Sequence, residues 1–249
     1  MLGAVSAFKA YDIRGIAGED ITTDFSRRLG RAIVEFAQAT SIAVGRDIRS
    51  SGESLKAALI QGIVESGCTV VDLGIVPTGV VYRSTVDLNV DSAIAITASH
   101  NPPEYNGFKI VHKGLPVAGE DLQRLKAIYE SPDQGKANSP GTILSMSEYH
   151  HTVIDAIVQD VGPLARRVSV AVDSANAVPG PFMMELCDKL GVDLVDLNCT
   201  WDQRSPAHPA DPTRPENMIQ LSDLVANSGC EFGIGVDGDG DRIGVVDEN

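Results

Sequence analysis

Short apolar runs alternate with amphipathic segments along most of the chain, and this alternation constrains the fold more than any other feature. The apolar runs have the length and branching of buried strands, and the segments between them place apolar residues at helical spacing. Strands that alternate with helices form mostly parallel sheets covered by helices. The sequence therefore predicts an α/β protein with mixed, mostly parallel, helix-covered sheets.

The first half of the chain carries a regular series of strand and helix signals. Thr22 or Thr23 is a suitable N-cap for the first helix, and Ser50 with Glu53 has the spacing of a capping box before the second. The polar and aromatic stretch from Lys9 to Gly15 is predicted to be a loop that leads toward the strand ends. The predicted strands span residues 41–45, 68–73, 91–96 and 108–111, and the predicted helices span residues 22–39, 55–64, 77–88 and 119–130.

Residues 131–147 interrupt the alternation because they are rich in serine, proline, glycine, asparagine and charge, which predicts a linker at their centre. This places one domain at residues 1–135 and a second at residues 148–249. In the second domain, a proline-rich loop covers residues 200–215, and the segment 208–217 is expected to be a rigid brace without chemistry. The predicted strands there span residues 168–172, 192–197 and 230–236, and the predicted helices span residues 149–161, 181–190 and 217–227.

Histidine and cysteine, the residues that most often bind zinc, show no zinc motif in this sequence. His150 and His151 stand side by side at the start of a predicted helix. Neighbouring residues of a helix point to different faces, so we expect solvated or capping histidines and not a shared metal ion. The cysteines lie far apart without a C-x-x-C pair, which indicates neither a zinc site nor a disulfide framework.

A hydroxyl, an imidazole and an amine follow the apolar run 91–96, in the side chains of Ser99, His100 and Lys109. Asn101 precedes two prolines, which rule out a continued helix or ladder, so the backbone must turn out of the sheet at Ser99. Open α/β sheets place reactive groups at such strand ends, and a serine nucleophile needs a base, a metal or positive charge nearby. The alternative is a surface turn in which Ser99 and Asn101 only cap backbone groups.

An acidic loop follows the apolar run 232–236 near the end of the sequence. Asp237, Asp239 and Asp241 alternate with glycines, and carboxylates at this spacing can curl around one hard cation that prefers oxygen ligands. Three like charges this close repel one another by several kcal/mol unless they are neutralised. Mg²⁺ is the favoured ion because it can complete its octahedron with other oxygen ligands beside a few carboxylates.

The acidic loop also allows two other interpretations. With Glu248 in twelfth position the loop mimics an EF-hand, but Arg242 stands where that motif requires glycine and the flanks are strand-like. A plain glycine-aspartate hairpin turn stays open as the second alternative.

Charge and hydropathy limit the partners. A formal net charge of −14 over 249 residues argues against nucleic acid or an anionic membrane surface as a partner. The N-terminus lacks the pattern of a signal peptide and no window reaches the length of a membrane span. Dispersed cysteines suit a reducing compartment, so a cytoplasmic location is expected. The oligomeric state is not predicted.

Three motifs together resemble the α-D-phosphohexomutase family, specifically its phosphomannomutase/phosphoglucomutase branch. They are Lys9-Ala10-Tyr11-Asp12-Ile13-Arg14-Gly15, Thr97-Ala98-Ser99-His100-Asn101-Pro102 and Asp237-Gly238-Asp239-Gly240-Asp241-Arg242. The resemblance runs from about Phe8 to the last residue. It also covers the Gly-Arg-Asp-x-Arg pattern at residues 45–49, which we interpret as a buried ion pair that ties a strand end to a helix start.

The resemblance implies a fold of the phosphohexomutase type and a hexose phosphate substrate. Ser99 would carry a phosphoryl group and would ligate one Mg²⁺ together with Asp237, Asp239 and Asp241. Transfer between this serine and the sugar would pass through a hexose 1,6-bisphosphate and interconvert the 1-phosphate and the 6-phosphate.

The resemblance also assigns the supporting residues. Arg14 would lie at the rim near the phosphoserine, and Arg242 and Asn101 would contact phosphate. Lys109 and His100 are both candidates for the acid/base. A lysine that is desolvated beside other cations can have a lowered pKa, so we prefer Lys109 for this role and His100 as a phosphate contact.

Members of this family have four domains, and the chain matches the first two, so domains III and IV are expected to be absent and the chain alone to turn over substrate poorly. The segments that would decide between mannose, glucose and glucosamine are not in these residues. The alternatives are a non-catalytic, truncated mutase-like module, a phosphoglucosamine mutase, and a metal-dependent phosphatase that uses Ser99. Against the phosphatase, no second cluster of metal ligands is apparent in the sequence.

Overall fold

The computed structural model describes residues 6–132 and 137–247. Backbone contacts divide the chain into two compact units, Met1–Ser147 and Glu148–Asn249. Each unit has its own sheet with helices packed on it. The predicted α/β class with mixed, mostly parallel sheets is confirmed.

The sheet of the first unit has the strand order β1-β5-β4-β2-β3-β7, with β6 paired to β5. Strands β4, β2, β3 and β7 run parallel, whereas β5 pairs antiparallel with β1, β4 and β6. The strands are β1 (Ile13–Ile16), β2 (Ser41–Arg46), β3 (Thr69–Ile75), β4 (Ser92–Ile96), β5 (Tyr105–His112), β6 (Leu115–Pro116) and β7 (Ile143–Ser145). The helices are α1 (Thr23–Ala37), α2 (Gly52–Glu65), α3 (Thr78–Asp87) and α4 (Gly119–Glu130).

Alternation along β2 explains why helices cover both faces of this sheet. Ile42 and Val44 are fully buried in the core beneath α1 and α2. Gly45 faces the opposite way, where a Cβ atom would lie 2.6 Å from Val81 of α3. Opposite-facing neighbours along a strand are the rule, so both faces of β2 need helical cover. The segment that follows β4, residues 97–101, therefore leaves a sheet that is covered by helices on both faces. We call this segment the serine loop.

Several predictions for the first unit are wrong in detail. The stretch from Lys9 to Gly15 contains part of β1, because residues 13–16 pair with β5. The capping box at α2 does not form, since Ser51 occupies the N-cap position and Glu53 accepts a 2.6 Å hydrogen bond from Arg46. Part of the predicted linker is β7, which pairs with β3. Residues 133–136 of that linker lie outside the described residues.

The second unit has a four-stranded sheet of order β11-β10-β8-β9, in which only β10 and β11 pair antiparallel. Its core lies on both faces of the sheet. Val170 and Val172 of β8 pack with Cys187, whereas Ala171 packs with Leu221 and Val225. The strands are β8 (Ser169–Asp173), β9 (Asp193–Leu197), β10 (Phe232–Val236) and β11 (Ile243–Val246). The helices are α5 (Tyr149–Val161), α6 (Pro179–Leu190) and α7 (Ile219–Ser228), with a 3₁₀ turn at Pro215–Met218.

None of the described helices combines the length and the apolarity that crossing a lipid bilayer requires.

Candidate functional site

The serine loop, residues 97–101, begins where the fully buried strand β4 ends. Ser99 is 5% exposed and its backbone has a φ of +54°, in the left-handed region. A non-glycine residue in such a conformation costs of order 1–3 kcal/mol and persists only when its surroundings fix it. Ser99 is therefore held in place by other groups.

The guanidinium of Arg49 holds the serine loop. Its Nη2 donates to the carbonyl oxygens of Ser99 at 2.8 Å and Asn101 at 2.6 Å. Its Nη1 donates to those of Pro102 at 2.7 Å and Tyr105 at 3.0 Å. A planar guanidinium presents its donors in a fixed fork, so one side chain fixes four carbonyls and shapes the turn around Ser99.

Asp47 completes this support from beneath. Its carboxylate accepts from the backbone N of Arg49 at 2.9 Å and from Arg49 Nε at 3.1 Å. It also accepts from the hydroxyl of Thr97 at 2.7 Å, and that hydroxyl in turn accepts from the backbone N of Ser99 at 2.9 Å. Asp47 is 4% exposed. The ion pair expected within residues 45–49 is confirmed, and it serves to fix the serine loop.

Arg14 contacts the serine loop at Asn101, and His100 follows Ser99 in the chain. Arg14 Nη1 donates to Asn101 Oδ1 at 2.7 Å and Nη2 to Asp12 at 2.5 Å. Arg14 Nε is buried and donates to no atom of the residues that the structure describes. His100 Nδ1 is 3.3 Å from Ser99 Oγ, longer than a usual hydrogen bond to a hydroxyl. An imidazole therefore lies near the Ser99 hydroxyl, and a cation contacts the side chain of Asn101 in the same loop.

Lys109 lies on β5, directly opposite Ala95 of β4. The neighbouring pair in the same register is Ile96 with Phe108, and Thr97 N then donates to Gly107 O at 3.0 Å. The antiparallel pairing of β4 and β5 therefore fixes the position of Lys109 relative to the start of the serine loop. Its role as acid/base stays a prediction.

The acidic loop of the sequence analysis joins β10 to β11. We call its residues 237–242 the aspartate loop. Asp237 is fully buried, and its Oδ1 accepts from the backbone N of Asp241 at 2.9 Å and of Arg242 at 3.0 Å. Its Oδ2 accepts from Arg242 Nη2 at 2.7 Å. Asp237 N donates to Arg242 O at 3.0 Å and closes the turn. The loop is therefore folded largely by its own residues.

Three carboxylates gather in this loop. One ligand oxygen each from Asp237, Asp239 and Asp241 lies within 4.8 Å of the others, with the first two side chains buried and the third exposed. Burying carboxylates is costly unless they are paired or bound to a metal, so this donor set fits a hard cation with oxygen ligands. The strands on both sides exclude the EF-hand interpretation, and Glu248, which it required, lies outside the described residues.

Arg242 is directed at carboxylates of the second unit. Besides Asp237, its guanidinium lies 3.5 Å from Asp241 and 3.7 Å from Asp211. Desolvation lowers the pKa of Arg242, but the hydrogen bond to Asp237 and the nearby carboxylates outweigh it and raise the pKa. Its predicted contact with a phosphate stays a prediction.

Sequence reasoning missed the supports of both loops. The Asp47 and Arg49 signal was visible as the pattern at 45–49 but was assigned only a scaffold role. The proline-rich loop contacts the aspartate loop, because Gly238 N donates to Ala210 O at 3.1 Å. His208 in the same loop lies 2.9 Å from Asp173 at the end of β8. Only the long-range contacts connect these segments to the loops.

Comparisons with known proteins agree with this geometry. Residues 5–136 match the family described as phosphoglucomutase/phosphomannomutase, alpha/beta/alpha domain I, and residues 148–249 match its alpha/beta/alpha domain II. The chain is 40% identical over 245 residues to a phosphomannomutase/phosphoglucomutase of Pseudomonas aeruginosa, covering 97% of this chain and 52% of that protein. It is 38% identical over 245 residues to a phosphoglucomutase of Neisseria gonorrhoeae, covering 96% and 52%.

A solved structure agrees as well. A phosphoglucomutase/phosphomannomutase family protein from Burkholderia thailandensis superposes with a TM-score of 0.92 at 36% identity, over 98% of this chain and 55% of that one. The chain thus spans about half the length of the relatives that it matches.

Proposed function

Since this chain belongs to the phosphoglucomutase/phosphomannomutase family, we propose that it supplies the phosphoserine, at Ser99, and the metal-binding aspartate loop of a phosphohexomutase. The reaction is the interconversion of a hexose 1-phosphate and a hexose 6-phosphate through a 1,6-bisphosphate. Because the chain spans about half the length of its relatives, the activity, the substrate and the partners of a whole enzyme are all part of this proposal.

The observation that carries the proposal is the way in which Ser99 is held. Its strained backbone is fixed by Arg49 and Asp47, its hydroxyl lies near His100, and Asn101 in the same loop accepts a hydrogen bond from Arg14. Strain that the surroundings enforce is typical of functional positions. A surface turn that only capped backbone groups would not need a buried ion pair beneath it.

Each phosphoryl transfer exchanges one P–O bond for another. The bond between phosphorus and Ser99 Oγ breaks while a bond to the free hydroxyl of the sugar phosphate forms, and the proton of that hydroxyl passes to Lys109 or His100. Return of the other phosphoryl group to Ser99 reverses these steps on the second oxygen. No phosphate is released, and the net change is isomerisation of the sugar phosphate.

Positive charge near the transferring group supplies most of the acceleration in such reactions. Arg14, whose Nη1 donates to Asn101 of the serine loop, would donate to phosphoryl oxygens. Lys109 and Arg242 are the other cations proposed for this role. Local cations of this kind are needed because the chain as a whole is strongly acidic.

Asp237, Asp239 and Asp241 would hold one Mg²⁺, and Ser99 would be a further ligand. The ion would supply positive charge that neutralises the phosphoryl oxygens. Within the chain, Asp237 and Arg242 set the shape of this loop, and Asp239 adds a second buried carboxylate. A cytoplasmic location remains a prediction.

Intact mass spectrometry tests the proposal. After incubation with glucose 1,6-bisphosphate and Mg²⁺, the chain should gain the mass of one phosphoryl group, mapped to the peptide that contains Ser99, and Ser99→Ala should gain none. The absence of any added phosphate would favour the alternative, a non-catalytic mutase-like module. Release of inorganic phosphate without isomerised sugar would instead indicate a phosphatase.

Turnover by the 249-residue chain is expected to be very low in a standard mutase assay, for mannose and glucose phosphates alike. Ordinary turnover would contradict the view that further segments complete substrate binding. A preference for glucosamine phosphate would indicate the phosphoglucosamine mutase alternative.

A further inference from the structure

A second group of metal-ligand side chains lies in the second unit, at the start of α5. The rings of His150 and His151 are 4.0 Å apart between centroids and are inclined by 38°. The expectation that these neighbours point to different faces is therefore wrong. Successive residues lie about 100° apart around a helix, so rotation about the side-chain bonds brings the two imidazoles onto one side.

Glu185 of α6 meets the two histidines there. One ligand atom each from His150, His151 and Glu185 lies within 4.8 Å of the others, and all three residues are partly buried. We call these three residues the histidine cluster. A tetrahedral Zn²⁺ with bonds of about 2.1 Å holds its ligand atoms roughly 3.4 Å apart. Side-chain rotation must open the 2.7 Å contact between His151 Nδ1 and Glu185 Oε1 to that spacing.

Each ring nitrogen of His151 contacts a carboxylate. Its Nδ1 is 2.7 Å from Glu185 Oε1, and its Nε2 is 3.1 Å from Glu148 Oε2. A histidine that binds a metal through one nitrogen usually donates its other N–H to a carboxylate, which fixes the ring. A metal between His151 Nδ1 and Glu185 would leave the contact with Glu148 in place as that outer partner.

Glu185 is also oriented from outside the cluster. Lys189, one turn further along α6, lies 3.2 Å from its Oε1 and 2.6 Å from Asp155 of α5. The carboxylate is thus held at the junction of the two helices. This arrangement explains why side chains from two helices converge although the sequence places them 34 positions apart.

We propose that the histidine cluster binds one divalent transition-metal ion, with Zn²⁺ as the expected occupant, and that the ion clips α5 to α6. Two imidazoles and one carboxylate suit zinc and its neighbours, whereas Mg²⁺ and Ca²⁺ prefer all-oxygen sites. Three protein ligands leave one position for water. The proposal is independent of the proposed mutase function and of the aspartate loop.

Isothermal titration of the 249-residue chain with Zn²⁺ in excess Mg²⁺ tests the site. We expect a step of one ion per chain with a dissociation constant in the micromolar range or tighter. His151→Ala and Glu185→Gln should weaken this step by more than about 100-fold, whereas Glu148→Gln should weaken it by about 10-fold, as losses of outer partners do. Asp239→Asn, in the aspartate loop, and His112→Gln, in the first unit, should leave the step unchanged.

Footprinting on the unaltered chain provides a second readout if a variant fails to fold. Zn²⁺ should protect His150 and His151 from diethylpyrocarbonate, detected by peptide mass, and should leave His112 reactive. A titration that shows only millimolar binding would overturn the proposal. So would a micromolar step that persists in both His151→Ala and Glu185→Gln, or unprotected histidines at saturating Zn²⁺.

Discussion

The serine loop and the aspartate loop both follow a buried strand, but they are held in different ways. The serine loop takes its shape from Arg49 and Asp47, which lie about fifty positions earlier in the chain. The aspartate loop is closed mainly by hydrogen bonds to Asp237 from residues four and five positions later. The conformation of the serine loop therefore depends on tertiary contacts, whereas the aspartate loop makes most of its stabilising contacts within itself.

Among the substitutions considered, loss of the Arg49 side chain is expected to have the largest effect on stability, because this side chain holds the serine loop. Arg49→Ala removes the guanidinium donor from four carbonyls and the cationic partner from the buried Asp47, and loss of one partner of a buried ion pair costs about 3 kcal/mol or more. We expect the free energy of unfolding of the first unit to fall by that amount, measured by urea-dependent hydrogen exchange in its peptides. Phosphorylation of Ser99 should slow by at least about tenfold, because misplacement of a reacting group is costly.

Arg49→Lys sharpens this test, since a lysine keeps the charge but not the planar fork. It should recover stability in part but not the rate of phosphorylation. Arg83→Ala, which removes a more exposed helical arginine paired with Asp87, is the matched control and should cost less than about 0.5 kcal/mol. The comparison fails if Arg49→Ala behaves like this control.

Within the aspartate loop, Asp237→Asn and Asp241→Asn should separate folding from metal binding. Asp237 is buried and accepts from two backbone N–H groups and Arg242, so its substitution should cost the second unit about 2 kcal/mol. Asp241 is more exposed, and its substitution should weaken Mg²⁺ binding with less than about 0.5 kcal/mol of destabilisation. Fluorescence of Trp201, the one tryptophan of the chain, reports on unfolding of this unit.

Mg²⁺ affinity of each variant would be measured by isothermal titration in the absence of zinc. Equal loss of stability in both variants would mean that the loop does not fold by its own contacts in the way described.

The smallest expected effect concerns the support of the aspartate loop by the proline-rich loop. The hydrogen bond with Asp173 raises the pKa of His208 above its usual 6.5, against desolvation. A raised folded-state pKa stabilises the protein fully below pH 6.5, and this stabilisation is lost as the pH rises through the folded-state pKa. We expect the second unit to lose about 1 kcal/mol between about pH 6 and pH 9 from this pair.

Urea unfolding followed by Trp201 fluorescence at both pH values checks this prediction. His208→Gln should remove that part of the pH dependence and leave the remaining slope. An unchanged slope in the variant would show that the pair of His208 and Asp173 does not contribute.

Much of the fold followed from local patterns. The strand and helix alternation identified α1 through α7 and the central strands, because apolar periodicity reflects burial that those segments share in any α/β sheet. The short strands β1, β6, β7 and β11 were not among the predicted strands, since two to four residues carry little periodicity and pair only because β5, β3 and β10 offer a free edge.

The site divides in the same way. Residue type and spacing were enough to identify Ser99, His100 and the alternating aspartates as candidates, since these signals lie within a few positions of one another. How the candidates are held depends on packing, because the left-handed Ser99 needs donors from Arg49, and the neighbouring rings of His150 and His151 meet Glu185 of another helix. Contacts between residues that are distant along the chain depend on how the elements pack, and no local pattern records that packing.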